Sequence, residues 1–316
     1  MNADGMDTRK PLDATAVSCM LLLCAIWAIQ QVLLKATAQD FTPIFQLGLR
    51  SGGSALLVAL SMRWRGQPIT VRDGRLPAGL LVGVLFGLEF LLVGEGLRHT
   101  TASHMVVFLY TAPVFAALGL HLRLASERLV PLQWIGIGLA FVGVAGTFLG
   151  REPVSAASAA MVWGDFLGLL GGLAWGATTV VVRGSRLSDA PATQTLLYQL
   201  VVSFPILVVV AVASGQTRFN PTPLVWASLS LQVVVVSFGS FLLWFSLLRR
   251  YLASRLGVFS FLTPLLGVVL GAWLLDEPIE PAFALGALPV LLGIVLVSAH
   301  DSVAQGVARL LRRNGK

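Results

Sequence analysis

Ten runs of mainly apolar residues follow one another along the chain, separated by short polar segments. Each run is close to the roughly 20 residues that a helix needs to cross the hydrocarbon core of a bilayer. The pattern predicts an all-α membrane protein with ten transmembrane helices. The predicted spans are 14–36, 42–62, 77–98, 101–122, 131–149, 163–183, 191–213, 223–248, 254–275 and 283–299.

The composition also places the chain in a lipid bilayer. Apolar residues make up 56% of the 316 residues and charged residues only 12%, and the mean hydropathy is +0.83. Soluble domains carry about 25% charged residues and fewer apolar ones. We therefore expect a multi-pass protein of the cytoplasmic (inner) membrane.

The positive residues are divided unequally between the two sides of the predicted membrane. Of the 22 lysine and arginine residues, 17 lie in one alternating set of segments and only four in the other. Because these residues accumulate on the cytoplasmic side, both termini are expected there. Residues 1–13 then form a cytoplasmic segment, 151–162 an extracytoplasmic linker and 300–316 a basic cytoplasmic tail. Charge spread along one membrane face does not indicate a nucleic acid partner.

The first half of the chain recurs in the second half. Trp27 matches Trp175 at an offset of 148 residues, and the pair Gln30-Gln31 matches Thr178-Thr179. Further matches in the same order are Pro43 with Pro191, Gln46 with Gln194, Phe108 with Phe259, Pro113 with Pro264, Glu127 with Glu277, Gly136 with Gly286 and Gly143 with Gly293. This order predicts a duplication, with repeats at 14–150 and 163–299. Since each repeat holds five helices, the second enters the membrane inverted, as in secondary transporters.

Three features of this duplication carry a resemblance to a known family. A tryptophan lies in the first helix of each half, and the fourth helix contains a proline, in YTAPVFAALG and FLTPLLGVVLG. A turn with a glutamate leads into the fifth helix, in ERLVPLQWIG and EPIEPAFALG. With these motifs the chain resembles the EamA family of the drug/metabolite transporter superfamily. Its aromatic content is most similar in character to the family's exporters of aromatic amino acids.

The resemblance implies that helices one to four and six to nine surround a central cavity. It implies a secondary transporter that exports amino acids, aromatic or large and apolar, by alternating access, without a cofactor or metal. An EamA-type permease for another metabolite or drug is one alternative, and a membrane receptor or scaffold is another. The glycine-rich fifth and tenth helices suit packing on neighbouring helices or on a second protomer, so the protein is expected to be a monomer or a homodimer.

Enzymatic motifs are missing from the sequence. It contains no HExxH, GxSxG, P-loop or GxGxxG pattern, which are the signatures of metallopeptidases, hydrolases and nucleotide-binding enzymes. The four histidines are scattered toward the edges of the membrane. We therefore do not expect an enzyme.

Two adjacent amides stand out in the first predicted span. An amide that faced lipid would leave its donors and acceptors unmatched, so Gln30 and Gln31 are expected to face inward. Thr178 and Thr179 occupy the matching place in the sixth helix. The amides either bind the transported solute or join helices one and two.

Two ionisable residues lie at a similar depth in the second and third spans. Arg50 and Glu89 are eight and nine residues from the same membrane face. Because an unpaired charge near the middle costs about 3 kcal/mol, a buried ion pair between them is predicted. Glu89 is interpreted either as a structural partner of Arg50 or as the carrier of a coupling proton or ligand of a substrate ammonium group.

Aromatic residues supply the remaining binding candidates. Trp27 and Trp175 lie too deep to be interfacial anchors, and they line either the cavity or the lipid-facing surface. Further aromatic side chains on the fourth, eighth and ninth helices form either an apolar solute site or ordinary core. These candidates are Phe108, Tyr110, Phe241, Trp244 and Phe259.

A proline interrupts the fourth helix of each half. Pro113 and Pro264 lie twelve and ten residues into their predicted spans. A proline ring removes an intrahelical hydrogen bond and bends the helix. Both prolines are therefore predicted to act as hinges during alternating access.

The ten-helix topology can be tested by labelling. In a variant without Cys19 and Cys24, single cysteines at Ser158 and Arg313 should react from opposite sides of a sealed vesicle. These positions lie in the predicted linker and tail. Equal reactivity from the same side would contradict the inverted topology.

Overall fold

The computed structural model describes residues 13–70, 74–123, 128–149, 156–251, 262–281, 283–293 and 295–296. Phe259, residues 151–155 of the predicted linker and nearly all of both predicted terminal segments lie outside these ranges. Most of the described residues are helical. Turns and irregular segments join the helices, and Phe41 forms an antiparallel bridge with Phe219.

Twelve helices, numbered α1 to α12, cover most of the described residues. A ten-residue π-helical stretch, Leu231–Ser240, joins α9 to α10. The bounds are Ala14–Ala36 (α1), Pro43–Trp64 (α2), Leu76–Gly96 (α3), Ala102–Leu109 (α4), Ala112–Arg123 (α5), Pro131–Leu149 (α6), Ala156–Arg183 (α7), Ala192–Ala213 (α8), Pro223–Ser230 (α9), Phe241–Arg250 (α10), Leu262–Leu274 (α11) and Phe283–Gly293 (α12).

These helices confirm a multi-pass membrane protein. In the described ranges, seven helical segments are long and apolar enough to cross a bilayer, counting α4 with α5 and α9 with α10 as single segments. Three shorter apolar helices lie at Pro131–Gly143, Leu262–Leu274 and Phe283–Gly293. Each of these segments overlaps one of the predicted spans, and the ten-span topology itself stays a prediction.

Local sequence signals fix where several helices begin. The carboxylate of Asp13 accepts a hydrogen bond from the backbone N–H of Ala16 at 2.8 Å, and the Thr101 hydroxyl accepts one from His104 at 3.1 Å. Such side chains satisfy N–H groups that have no partner in the first helical turn. Prolines occupy the first position of α2 and α9, where their missing N–H is not needed.

The fourth predicted span is broken near its proline. α4 ends at Leu109 and α5 begins at Ala112, directly before Pro113. Thr111 uses its hydroxyl to donate to the carbonyl oxygen of Phe108 at 2.6 Å. Pro264 is the third residue of α11. The interruption at Pro113 therefore follows the sequence signal, while the hinge motion of both prolines stays a prediction.

The packing partners follow the predicted duplication. α1 packs on α11, and α7, its counterpart in the second half, packs on α4 and α5. α3 packs on α8. The counterparts of these two helices in the other half are the π-helical stretch and α2, and they are also in contact. α2 also packs on α8, and α4 packs on α11. In each of these pairs a helix contacts its own counterpart from the other half. Exchanging the two halves thus leaves this pattern of neighbours unchanged.

α6 and α12 meet through glycines in a reciprocal way. A Cβ atom added to Gly143 of α6 would lie 2.5 Å from the carbonyl oxygen of Gly286 in α12. One added to Gly293 of α12 would collide with the carbonyl oxygen of Gly136 in α6. Late residues of each helix face early residues of the other, so the helices are antiparallel. The glycines permit this close backbone approach within one chain.

Alanine substitution at this crossing should destabilise the protein. Gly143→Ala places a methyl group against backbone that cannot rotate away, and overpacking of this kind costs about 1–3 kcal/mol. Gly138→Ala in the same helix is the matched control, because no atom lies within 4 Å of its added Cβ. Thermal unfolding in detergent should show a lower midpoint for Gly143→Ala only; equal midpoints for the two variants would contradict the crossing.

Candidate functional site

The three candidates on α1 turn into the bundle. Trp27, Gln30 and Gln31 are all buried, with Gln31 only 2% exposed. The indole Nε1 of Trp27 donates a hydrogen bond to the hydroxyl of Ser240 at 2.9 Å. The polar groups of the first span therefore face other helices and not lipid, as membrane burial requires.

Arg50 lies at the centre of a polar cluster. Its side chain is completely buried. Nη1 donates to the amide oxygens of Gln30 and Gln232, each at 3.3 Å. Gln232, on the π-helical stretch, in turn donates from Nε2 to the backbone oxygen of Gln30 at 3.2 Å. The guanidinium carbon also lies 4.0 Å from the ring centroid of Phe90, a cation–π contact.

Several buried polar atoms of Arg50, of α1 and of the π-helical stretch have no hydrogen-bond partner. In the part of the chain that the structure describes, these include Nε and Nη2 of Arg50, Oε1 of Gln31 and Oγ of Ser237. Each such buried group costs about 1–3 kcal/mol, and more when it is charged. Native proteins leave few of them without a reason, so this cluster is the principal candidate site.

Glu89 is the second buried charge of the cluster. It is 5% exposed and interacts electrostatically with Arg50. The described residues nevertheless show no direct ion pair between these two side chains. The ion pair therefore stays a prediction; in this structure two amides hold Nη1 of the guanidinium and the ring of Phe90 covers one of its faces.

Aromatic rings surround the charged cluster on the side of α10. Trp27 packs edge-to-face on Trp244, with ring centroids 5.7 Å apart. Phe241 lies 6.2 Å from Phe86, which in turn lies 4.7 Å from Phe90. Because Phe90 also contacts Arg50, this chain of rings is continuous with the polar cluster. Phe241 thus extends the polar cluster and Trp244 lies on the same helix, and solute binding by either ring stays a prediction.

A second aromatic pair joins α7 to the loop between α4 and α5. Tyr110 and Trp175 meet edge-to-face, with centroids 5.1 Å apart. Glu89 is close enough to Tyr110 to interact with it electrostatically. Phe108 is fully buried in the core, beside the position of Gly168 in α7.

The threonines that match the glutamine pair behave differently. Thr178 donates to the carbonyl oxygen of Ala174 at 3.0 Å, and Thr179 donates to that of Trp175 at 3.3 Å. Both hydroxyls are thereby satisfied within their own helix. These bonds do not join the threonines to the Arg50 cluster. Phe259, the remaining aromatic candidate, is outside the described residues.

One end of the bundle, here called the Lys35 end (37–42, 97–101, 214–222 and 275–280), is joined by hydrogen bonds. The ammonium group of Lys35 donates to the backbone oxygens of Leu97 and Thr100, both at 2.7 Å. Glu277 accepts from the backbone N–H of Ala102 at 2.7 Å, and from the N–H and hydroxyl of Ser103 at 3.0 and 2.7 Å. Charged partners strengthen these bonds.

A buried histidine–aspartate pair lies beside this network. Nδ1 of His104 lies 3.0 Å from Oδ2 of Asp165, and the Thr100 hydroxyl donates to Oδ1 of the same carboxylate. The imidazole stacks on Phe283 of α12, with centroids 3.9 Å apart. The pair links α4 to α7 at the Lys35 end. Sequence reasoning overlooked Asp165, although it is an acidic residue inside a predicted span.

The long connections also meet at the Lys35 end. The backbone N–H of Thr42 donates to the carbonyl oxygen of Arg218 at 3.2 Å, and its hydroxyl donates to that of Gln216 at 2.5 Å. The rings of Phe41 and Phe219 stack edge-to-face, with centroids 4.9 Å apart. These contacts tie the α1–α2 connection to the α8–α9 connection.

The opposite end, here called the Arg65 end (65–70 and 184–191), contains a cavity. Its volume is about 210 Å³. α10 forms one wall and also carries Phe241 and Trp244 of the aromatic set, so the cavity and the site share a helix. The lining residues are Arg65, Gln67, Pro191, Ala192, Thr193, Leu242, Leu243 and Ser246.

A membrane-spanning bundle with a polar, aromatic-lined centre is the type of structure that multi-pass transporters of small molecules have. The chain belongs to the EamA-like transporter family, whose model matches it twice, over residues 14–149 and 162–299. This confirms the resemblance found in the sequence motifs. The two matches coincide with the two predicted repeats.

Relatives of the chain cover almost its whole length. A protein of Pseudomonas aeruginosa named "Uncharacterized protein PA1977" is 30% identical over 93% of this chain and 96% of its own length. The "Uncharacterized transporter YoaV" of Bacillus subtilis is 23% identical over 86% and 92%. An Escherichia coli protein named "Probable amino-acid metabolite efflux pump" is 25% identical over 87% and 92%.

A solved crystal structure shares the fold. It covers 95% of this chain and 99% of its own, with a TM-score of 0.63 and 17% sequence identity. At this identity the likeness extends to the fold and not to the substrate.

Proposed function

We propose that the protein exports amino acids, aromatic or large and apolar, across the cytoplasmic membrane. The observation that carries this proposal is a series of rings, Phe90, Phe86 and Phe241, that begins on the buried guanidinium of Arg50. The buried carboxyl group of Glu89 precedes Phe90 in the sequence. An amino acid offers a matching combination: a carboxylate, an ammonium group and an apolar side chain. The name of the Escherichia coli relative, an amino-acid metabolite efflux pump, supports the same solute class.

The proposed architecture is ten membrane spans in two inverted repeats around a central site, with both termini and the Arg65 end in the cytoplasm. Three observations support it. The family model matches twice, the neighbours of corresponding helices correspond, and α6 and α12 contact each other reciprocally through Gly143 and Gly293. In transporters with inverted repeats, the substrate site lies between the two repeats, and their relative movement opens it to one side of the membrane or to the other.

The difference between the two ends supports the proposal of alternating access. The Lys35 end is held by charge-assisted hydrogen bonds from Lys35 and Glu277, whereas a cavity lies at the Arg65 end. This is the arrangement of a carrier that is closed outward and accepts solute from the cytoplasm. Bending at Pro113 and Pro264 is the proposed route between the two states.

An EamA-type permease for another small metabolite or drug is the second candidate. A receptor or scaffold is the candidate from a different class. Counterflow in proteoliposomes separates these functions, because a carrier exchanges labelled solute for unlabelled solute and a receptor does not. A panel of amino acids and small metabolites then identifies the solute.

The proposed site predicts different effects for its aromatic and amide members. Trp27→Ala should slow counterflow of phenylalanine by roughly 2- to 10-fold and that of alanine much less, because ring pairs contribute about 0.5–1.5 kcal/mol beyond area burial. Gln31→Ala should slow both amino acids alike, since its free oxygen can reach only the groups that all amino acids share.

Two further variants serve as controls for this experiment. Trp273→Ala removes a tryptophan that is 74% exposed, so the counterflow rates of phenylalanine and of alanine should both stay unchanged. Trp27→Phe keeps a ring but loses the hydrogen bond to Ser240, so it separates packing from positioning. Equal losses for phenylalanine and alanine in Trp27→Ala would contradict an aromatic solute, and absent exchange of every amino acid would contradict the proposed substrate class.

A further inference from the structure

We propose that Arg50 binds the carboxylate group of the transported solute through Nε and Nη2, and that Glu89 faces the solute's ammonium group. This inference rests on the proposed function, since it names the recognition chemistry of the same site. It assigns Arg50 a role beyond the ion pair predicted from the sequence. The substrate class is then a zwitterionic α-amino acid, and not an amine or a neutral metabolite.

The hydrogen bonding of Arg50 leaves one edge of the guanidinium for a ligand. Nη1 is occupied by the amide oxygens of Gln30 and Gln232. Nε and Nη2 have no partner in the described part of the chain, although the side chain is fully buried. These two nitrogens form one side of the planar group, and a carboxylate accepts from such a pair with two parallel hydrogen bonds.

The surroundings of Arg50 hold that edge in a fixed direction. The ring of Phe90 covers a face of the guanidinium at 4.0 Å, and the two glutamine amides fix its far nitrogen. A long arginine side chain normally loses much rotamer freedom on binding. Here the orientation is set before the ligand arrives, which reduces the cost of binding.

The cost of burial supports the same assignment. A buried charge that lacks a direct partner is strongly unfavourable, and Glu89 attracts Arg50 without forming a direct ion pair among the described residues. A carboxylate bound to Arg50 would accept a hydrogen bond from each of these two nitrogens, Nε and Nη2. The ammonium group of the same molecule would then neutralise Glu89, so that each buried charge gains an opposite one.

The neighbouring rings define where the solute's side chain lies. Phe90 contacts Arg50, and Phe86 and Phe241 continue from it. Trp244, which packs on Trp27, lies on the same helix as Phe241. A solute anchored at its carboxylate therefore reaches aromatic surface with its side chain. The anchoring explains selection for amino acids, whereas the rings explain selection among them.

The test is competition against counterflow of labelled phenylalanine in proteoliposomes. The competitors are unlabelled phenylalanine, phenethylamine, which lacks the carboxylate, and 3-phenylpropionate, which lacks the amine. Phenethylamine should compete at least about 10-fold more weakly than phenylalanine, because charge-assisted hydrogen bonds to Arg50 are lost. In Arg50→Gln the preference for phenylalanine over phenethylamine should disappear. In Glu89→Gln the preference for phenylalanine over 3-phenylpropionate should be lost instead.

Arg98→Gln is the matched control. Arg98 lies at the Lys35 end, is 45% exposed and pairs with Glu95, so the variant should keep the preference of the unmodified protein. Equal competition by phenethylamine and phenylalanine in the unmodified protein would overturn the inference. That measurement needs no variant, and it therefore decides the question even if Arg50→Gln fails to insert.

A binding measurement separates this inference from the proposed function. Thermal unfolding is followed with 3-phenylpropionate or phenethylamine in excess. If no amino acid is exchanged, stabilisation of the unmodified protein by the carboxylate alone would still support Arg50 as a carboxylate site, while the amino-acid proposal would fail. Stabilisation by phenethylamine alone, or by neither compound, would overturn the assignment to Arg50.

Discussion

The burial of one guanidinium group in the middle of a membrane bundle is the constraint on which the central structure depends. Arg50 is wholly removed from lipid and solvent, which is tolerated only when polar groups from neighbouring helices surround it. Gln30 on α1 and Gln232 on the π-helical stretch supply those groups. π-helical turns occur mainly at functional sites, and this one carries a polar ligand of the buried charge.

The remaining architecture places that charge between two unlike ends. At the Lys35 end, Lys35 and Glu277 use their charges to join the ends of α1, α3 and α4 to the connection after α11. At the Arg65 end the wall of the cavity is formed partly by α10. A transition that opened the Lys35 end would have to break several charge-assisted bonds. Alternating access therefore requires compensating contacts at the Arg65 end.

Much of the fold was predictable because the bilayer imposes a simple rule. Spans need about 20 apolar residues, and the predicted first span, 14–36, is also the observed helix Ala14–Ala36. Glycines in α6 and α12 indicated close packing with a neighbouring helix or a second protomer, and the structure shows that the two helices cross each other. The π-helical stretch was not predicted, because its hydrogen-bond pattern depends on contacts with other helices and leaves no periodic mark in an apolar run.

The site was predictable only in part, for reasons that differ between residues. Gln30 and Gln31 turn inward because an amide cannot be satisfied by its own helix, whereas Thr178 can donate to the carbonyl oxygen one turn earlier. Gln232 and Asp165 were visible as polar residues inside predicted spans. Their partners, Arg50 and His104, are far away in sequence, and such pairs cannot be assigned from depth alone.

Substrate protection of a buried residue in the π-helical stretch, which also carries the Gln232 partner of Arg50, tests the central claim most directly. Ser237 is fully buried, lies five residues after Gln232 in the π-helical stretch and has an unpartnered hydroxyl in the described chain. In a variant without Cys19 and Cys24, the measurement is the rate at which a small thiol reagent alkylates Ser237→Cys. The account predicts that saturating phenylalanine slows alkylation several-fold. An unchanged rate while phenylalanine is being exchanged would contradict a substrate site at the Arg50 cluster.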